Sequence, residues 1–173
     1  MQDGNNVKLD ESEIVPRIID CIRDGLIELV KLHLERDDLD INKRDVNGEG
    51  RETTALLEAC KSENVEIVKL LLSRDDLDIN TKAGYTTAFH MVCGFGYGEV
   101  AELLLSRDEL DINNENIWGK TALHEACYSD NVELVELLIS KGSDINKKDY
   151  QGNTPFHLTC CLDSLEMIKK IIS

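Results

Sequence analysis

The chain has 173 residues, with 34 Asp plus Glu against 19 Lys plus Arg, a formal net charge of −15 and 5% aromatic residues. That length suits one domain with a substantial buried core. The acidic balance argues against nucleic-acid binding, which needs cations to displace counterions from phosphates, and against docking on anionic membranes.

In chain order, residues 1–11 are polar and acidic, lack the basic start and apolar centre of a signal peptide, and read as a flexible segment. Six Cys without an export signal fit a reducing compartment, cytoplasmic or nuclear. A first helix is expected near Ser12, with Asp10 or Ser12 as its cap, Glu13 in its first turn and Pro16 early. Leu26-Ile27-Glu28-Leu29-Val30-Lys31-Leu32-His33-Leu34 then leads to Asp40-Ile41-Asn42.

From there the chain repeats itself. Thr54-Ala55-Leu56-Leu57, Thr87-Ala88-Phe89-His90, Thr121-Ala122-Leu123-His124 and Thr154-Pro155-Phe156-His157 align at spacings of 33, 34 and 33 residues. Each block opens on Thr, an N-cap residue, and Pro155 falls at the tolerated first helical position. A Cys follows each block at fixed offset, at Cys60, Cys93, Cys127 and Cys160. Three of the blocks then run into a second stretch with apolar residues at helical spacing and Glu or Lys between them, starting at Val65, Glu99 and Val132. Those stretches end at Asp78-Ile79-Asn80, Asp111-Ile112-Asn113 and Asp144-Ile145-Asn146. The unit is therefore helix, turn, helix and extended finger, and only stacking of neighbouring units buries its apolar faces. The longest aliphatic runs are triplets such as Leu70-Leu71-Leu72, far below the roughly 20 apolar residues that cross a bilayer.

Thr121-Ala122-Leu123-His124-Glu125-Ala126 and Thr154-Pro155-Phe156-His157 resemble the Thr-Pro-Leu-His-x-Ala signature of ankyrin repeats, at that family's period. The resemblance covers nearly the whole chain. It implies an all-α repeat fold, an ankyrin-repeat solenoid of about five stacked helix-turn-helix units with extended β-hairpin-like fingers. The expected domain is 12–173, with repeats at about 12–46, 47–83, 84–116, 117–149 and 150–173. The first repeat lacks the Thr-Pro-Leu-His block.

Three departures stand out. The finger between Asn42 and Thr54, with Asn47-Gly48-Glu49-Gly50, is lengthened and expected to be mobile, while the finger between Asn80 and Thr87 is one residue short. Leu57 replaces the His that links neighbouring fingers in the family, so that junction is expected to be looser. Gly94, Gly96 and Gly98 crowd the turn of the third repeat, and Gly98 stands where Val65 and Val132 sit, which marks a soft joint.

Catalytic, cofactor and metal sites are not expected. Equivalent positions in adjacent repeats lie about 10 Å apart, beyond the roughly 7 Å reach of a disulfide, so the aligned Cys read as small buried fillers. His90, His124 and His157 recur with their Thr and read as structural. No phosphate loop, nucleophile elbow or paired metal-ligand spacing occurs. The acidic loops around Asp38, Asp76 and Glu109 lack calcium-loop spacing and read as a solvated edge, with Arg36, Arg74, Arg107 and Lys141 offsetting helix C-termini. Asn80, Asn113 and Asn146 each follow Asp by two and an aliphatic residue by eight. This resembles the pattern hydroxylated in other ankyrin proteins, although holding the turn is the simpler role.

The family resemblance implies a concave binding face made of fingers and first helices. Its candidate contact residues are Glu58, Lys61, Tyr85, Met91, Phe95, Trp118, Glu125, Tyr128, Tyr150 and Leu158. Five of the eight aromatics fall there, whereas Phe89 and Phe156 fill core slots and Tyr97 the helix turn. The expected function is a non-enzymatic scaffold for a protein partner. The alternative is the targeting or regulatory region of a larger enzyme, such as a kinase or ubiquitin ligase, with its catalytic domain elsewhere. The sequence stops after Met167-Ile168-Lys169-Lys170-Ile171-Ile172 without a polar cap, so further repeats or end-to-end self-association are expected at that end.

Overall fold

A computed structural model of the chain describes residues 18–46, 51–129 and 131–160. Helix α1 is described over 18–23 and is followed by α2 (Ile27–Leu34). Strands β1 (Asp45–Val46) and β2 (Glu52–Thr53) pair antiparallel, with Asp45 opposite Thr53. Helices α3 (Ala55–Lys61) and α4 (Val65–Leu72) come next, then the antiparallel pair β3 (Lys82–Ala83) and β4 (Thr86–Thr87). They are followed by α5 (Ala88–Phe95), α6 (Gly98–Leu105), α7 (Ala122–Tyr128), α8 (Val132–Ser140) and α9 (Pro155–Cys160). The lengthened tip at 47–50, the cap at Asp10 or Ser12, and the end after Cys160 lie outside the described residues.

The helices form two layers. First helices α3, α5, α7 and α9 stack in succession, and second helices α2, α4, α6 and α8 stack beside them. The periodicity accounts for this, because equivalent positions are buried in the second, third and fourth repeats, although Leu29, the first repeat's counterpart of Ile67, is 45% exposed. Ile67, Val100 and Leu134 form one buried series, and Leu71, Leu104 and Leu138 another. In the first layer Leu56, Phe89 and Leu123 continue the core, with Phe156 partly buried against it. Each aliphatic side chain so covered contributes about 1.5–3 kcal/mol, and it does so only because a neighbour supplies the other wall.

Side chains set the helix starts. Thr54 Oγ1 accepts from Leu57 N at 3.2 Å, Asn64 Oδ1 from Ile67 N at 3.1 Å and Asn131 Oδ1 from Leu134 N at 3.0 Å. Such caps are worth about 1 kcal/mol each. Tyr97, before α6, makes no side-chain cap, so this start combines a missing cap with Gly98 at the first helical position. Gly96 ends α5 in the left-handed region at φ 74°.

Buried histidines join the fingers. His90 Nε2 lies 2.9 Å from Asn114 O and 3.0 Å from Lys120 O, and His124 Nε2 lies 3.2 Å from Asn153 O. Carbonyls only accept, so the proton sits on Nε2. The Nδ1 atoms then accept from their own Thr, at 2.8 Å from Thr87 Oγ1 and 2.9 Å from Thr121 Oγ1. At Leu57, buried and without such a group, a different contact joins the fingers: Gly84 N donates to Glu52 Oε2 at 3.0 Å.

The acidic edge is more than solvated charge. Arg74 pairs with Asp76 and also donates from Nη1 to Leu34 O at 2.8 Å, closing the C-terminus of the preceding repeat's helix. Arg107 pairs with Glu109 and donates to Leu72 O in the same way. Cys60, Cys93 and Cys127 are buried free thiols, and burial pushes Cys60 and Cys127 up to about 12. Among the described residues no helix is long and apolar enough to cross a membrane, and no group of three or more His, Cys, Asp or Glu is placed to hold a metal ion.

Candidate protein-binding face

The finger tips are tied along the stack by backbone hydrogen bonds. Ile117 N donates to Tyr85 O at 3.2 Å, and Tyr150 N donates to Trp118 O at 3.0 Å. Tyr85, Trp118 and Tyr150 are thereby held in one row at the rim. Their side chains remain exposed, at 63%, 50% and 73%. The Tyr85 and Trp118 rings lie 5.8 Å apart at 40°. Tyr150 lies over Gly119, where a Cβ would fall 2.4 Å from Tyr150 Cδ1, so only glycine admits the ring.

The Trp118 and Tyr150 tips are each shaped by one polar side chain. Asn116 Oδ1 accepts from Trp118 N at 3.0 Å and Lys120 N at 3.1 Å, and Asp149 Oδ1 accepts from Gln151 N at 3.0 Å and Asn153 N at 2.8 Å. Asn116 is absent from the candidate residues above, although Asn116-Ile117-Trp118-Gly119 and Asp149-Tyr150-Gln151-Gly152 share a spacing before Thr that marks it. It is buried and also donates from Nδ2 to Glu125 Oε1 at 2.9 Å.

Behind the rim, three open clefts run along the inner face. One of about 530 Å³ touches Leu57, Lys61, Tyr85, Met91 and Phe95. The next, about 340 Å³, shares Tyr85, Met91 and Phe95 and adds Trp118 and Glu125. The third, about 540 Å³, shares Trp118 and Glu125 and reaches Tyr150. Phe95 is exposed and stacks on Tyr97 with centroids 5.5 Å apart. Tyr128 is also exposed, beneath the Lys120 ammonium at 4.7 Å.

The remaining candidates divide. Lys61 is exposed and Met91 half-buried. Glu58 is mostly covered: Arg23 Nε donates to it at 3.2 Å, Thr53 Oγ1 at 3.0 Å and Lys61 Nζ at 3.4 Å. Burial pushes its carboxyl upward, but Lys61, Thr53 and Arg23 outweigh that and hold it below the usual range. Glu125 is half-buried and goes the other way. Burial raises it above the usual carboxylate value, with Lys120 and Asn116 only partly offsetting the shift.

Leu158 corrects an expectation. Predicted to face outward, it is only 6% exposed and belongs to the core. The position after the His is half-buried in the middle repeats, and an aliphatic side chain gains by going fully under cover.

Asn80 and Asn113 use their carboxamides to hold the next repeat's turn, whereas Asn146 is exposed.

A stacked array of Thr-capped helix pairs with His-linked fingers defines a repeat protein with an open inner face. Residues 18–116 and 89–173 match the family model for ankyrin repeats, and the chain belongs to the ankyrin repeat family. Members of that family are generally protein–protein interaction modules and typically non-catalytic. No match to the chain is found among curated proteins.

Proposed function

We propose that the chain is a non-enzymatic scaffold that binds a protein partner along its inner face, through Tyr85, Met91, Phe95, Trp118, Tyr128 and Tyr150. The observation that carries this reading is the continuity of the three clefts, which share aromatic walls from Tyr85 to Tyr150. Half-exposed aromatics on a rigid concave frame can give up water to a partner while losing little side-chain entropy, as interface hot spots do. The acidic second-helix face, with Glu66, Glu99, Glu102, Glu133 and Glu136, favours solubility and steering.

The test compares the wild type, Trp118→Ala/Tyr128→Ala and a convex-face control, Glu102→Ala/Glu133→Ala, in affinity capture followed by direct titration of the captured protein. A saturable partner kept by the control and lost by the aromatic variant, with melting temperature nearly unchanged, supports the scaffold. Equal affinity for both variants overturns it.

A further inference from the structure

Glu58, Met91, Glu125 and Leu158 occupy the same position in successive repeats, one residue past the end of the Thr-x-x-His block or its Leu57 equivalent. The two carboxylates among them keep different company. Glu58 is met by two cations and a hydroxyl. Glu125 accepts at Oε1 from the neutral Asn116 amide, and among the described residues no cation pairs with it. Its nearest cation by sequence, Lys120, lowers its carboxyl electrostatically from over the Tyr128 ring, without forming an ion pair with it. Asp149, on the same cleft, is already occupied by the Gln151 and Asn153 amides.

Glu125 lies where the middle and third clefts meet, beside Trp118. The floor there is Gly94, whose hypothetical Cβ would be 3.6 Å from Glu125 Cβ and 3.8 Å from Oε2. A half-buried carboxylate that no donor among the described residues meets at its second oxygen, with an aromatic ring at its side, is an incomplete ion pair. Contact with a purely apolar ligand would strip the remaining water from that oxygen, whereas a cation would replace it.

Building on the proposed function, we infer that the occupant of this groove is an extended segment of a partner protein that sets an arginine between Trp118 and Glu125 and places bulky apolar side chains against Met91 and Phe95. Arginine fits better than lysine because its planar guanidinium can stack on the indole while an edge N–H reaches the second carboxylate oxygen. The net charge of −15 steers basic segments toward the protein and disfavours acidic ones. The apolar half of the groove fixes register, since the 530 and 340 Å³ clefts share Met91 and Phe95.

The probe is a phage-displayed library of random dodecapeptides selected against the whole chain, with individual winners resynthesised and titrated by fluorescence anisotropy. The expected winners share one Arg flanked on one side by large apolar residues. Replacing that Arg by citrulline, of the same shape but neutral, weakens binding to the wild type at least tenfold and to Glu125→Gln less than twofold. Gln retains the acceptor for Asn116, and an unchanged melting curve verifies the fold. Winners with no common Arg, an empty selection, or an equal citrulline penalty on both proteins overturns the inference. Peptides that bind Trp118→Ala/Tyr128→Ala as well as the wild type overturn the scaffold reading itself, so the two failures are distinguishable.

Discussion

Asn80 Oδ1 accepts the backbone N–H of Asp111 at 2.9 Å, and the same carboxamide donates from Nδ2 to Glu109 O at 2.7 Å. Asn42 makes the equivalent contacts with Asp78 N at 2.7 Å and Asp76 O at 2.6 Å. Asn113 repeats the first with Asp144 N at 2.8 Å and stretches the second to 3.5 Å at Gly142 O. Within each turn the Asp carboxylate holds the N–H of the Asn two residues on, as Asp78 does for Asn80 at 2.9 Å. The Asp-Ile-Asn series is therefore a stitched edge, each turn bound to the next.

Asn80→Ala removes both stitches and leaves two backbone groups without their partner. Because the site is open to water, the expected loss lies at about 1–2 kcal/mol. Asn80→Asp keeps the acceptor but loses the donor, and should fall between the two. Urea unfolding measures this through the midpoint. A lowered slope in Asn80→Ala would additionally report uncoupling of the repeats on either side. An unchanged midpoint in Asn80→Ala removes any structural role for the stitch.

The stacked helix pairs are legible in the sequence because helical period and repeat period reinforce each other: Leu71, Leu104 and Leu138 are apolar in the sequence and buried in the fold. The inner face is partly legible. Tyr85, Phe95, Trp118, Tyr128 and Tyr150 are exposed where the family pattern puts them. Leu158 departs from that pattern because a position's direction does not fix how far its side chain is covered. Glu58 and Glu125 occupy equivalent positions, and part of their difference is legible, since Lys61 stands three residues after Glu58 where Tyr128 follows Glu125. The rest comes from Arg23, 35 residues upstream of Glu58, a tertiary contact that repeat spacing does not encode.

The histidines predict an acid limb well above carboxylate titration. Burial holds His90 below its ordinary 6.5 despite the Lys120 and Asn114 carbonyls, and burial likewise lowers His124 against the Asn153 carbonyl. A lowered native value means the unfolded chain takes up protons first as pH falls. Stability is then flat above about 6.5 and declines below it until the native imidazoles also titrate. Glu58, Asp76 and Asp149 are held low as well, so their contributions disappear only at more acidic pH. Glu125 has the opposite sign: its raised native value adds a small gain as pH falls through it. Melting temperatures from pH 8 to 5 should bend downward near 6.5. His90→Leu/His124→Leu, which copies the Leu57 of the second repeat, should be less stable at pH 7.5 yet flatter from 6.5 to 5.5. Parallel curves exclude the histidines as the cause.

Two glycines should respond in opposite directions to the same substitution. Gly98 opens α6, and a Cβ there meets nothing within 4 Å. Gly98→Ala should stabilise by about 0.5–1 kcal/mol by restricting the unfolded chain and improving the start of α6. Gly119 sits at φ 73° beneath Tyr150, so Gly119→Ala combines left-handed strain with a clash. It should cost more than about 1 kcal/mol. Adding Tyr150→Ala relieves the clash but not the strain, so a double-mutant cycle in chemical denaturation should return a clearly non-additive term. Additive behaviour would mean that the ring does not rest on the glycine.

Asn116 offers the sharpest separation of structure from charge. Its Oδ1 receives the Trp118 and Lys120 amides, and its Nδ2 supports Glu125. Asn116→Ala deprives all three groups at a buried position, so a loss of about 2–4 kcal/mol is expected. Asn116→Asp reproduces the arrangement that Asp149 adopts naturally, accepting both amides, and should preserve the finger. It also sets a second carboxylate against Glu125, whose own carboxyl is already raised by burial. Two such groups cannot both ionise cheaply, and one proton shared between them restores the lost donor. The Asn116→Asp deficit against the wild type should therefore be largest near pH 7 and shrink as pH is lowered toward 5. Melting curves of the three proteins across that range give the answer directly: a pH-independent deficit would place the carboxylates out of each other's reach.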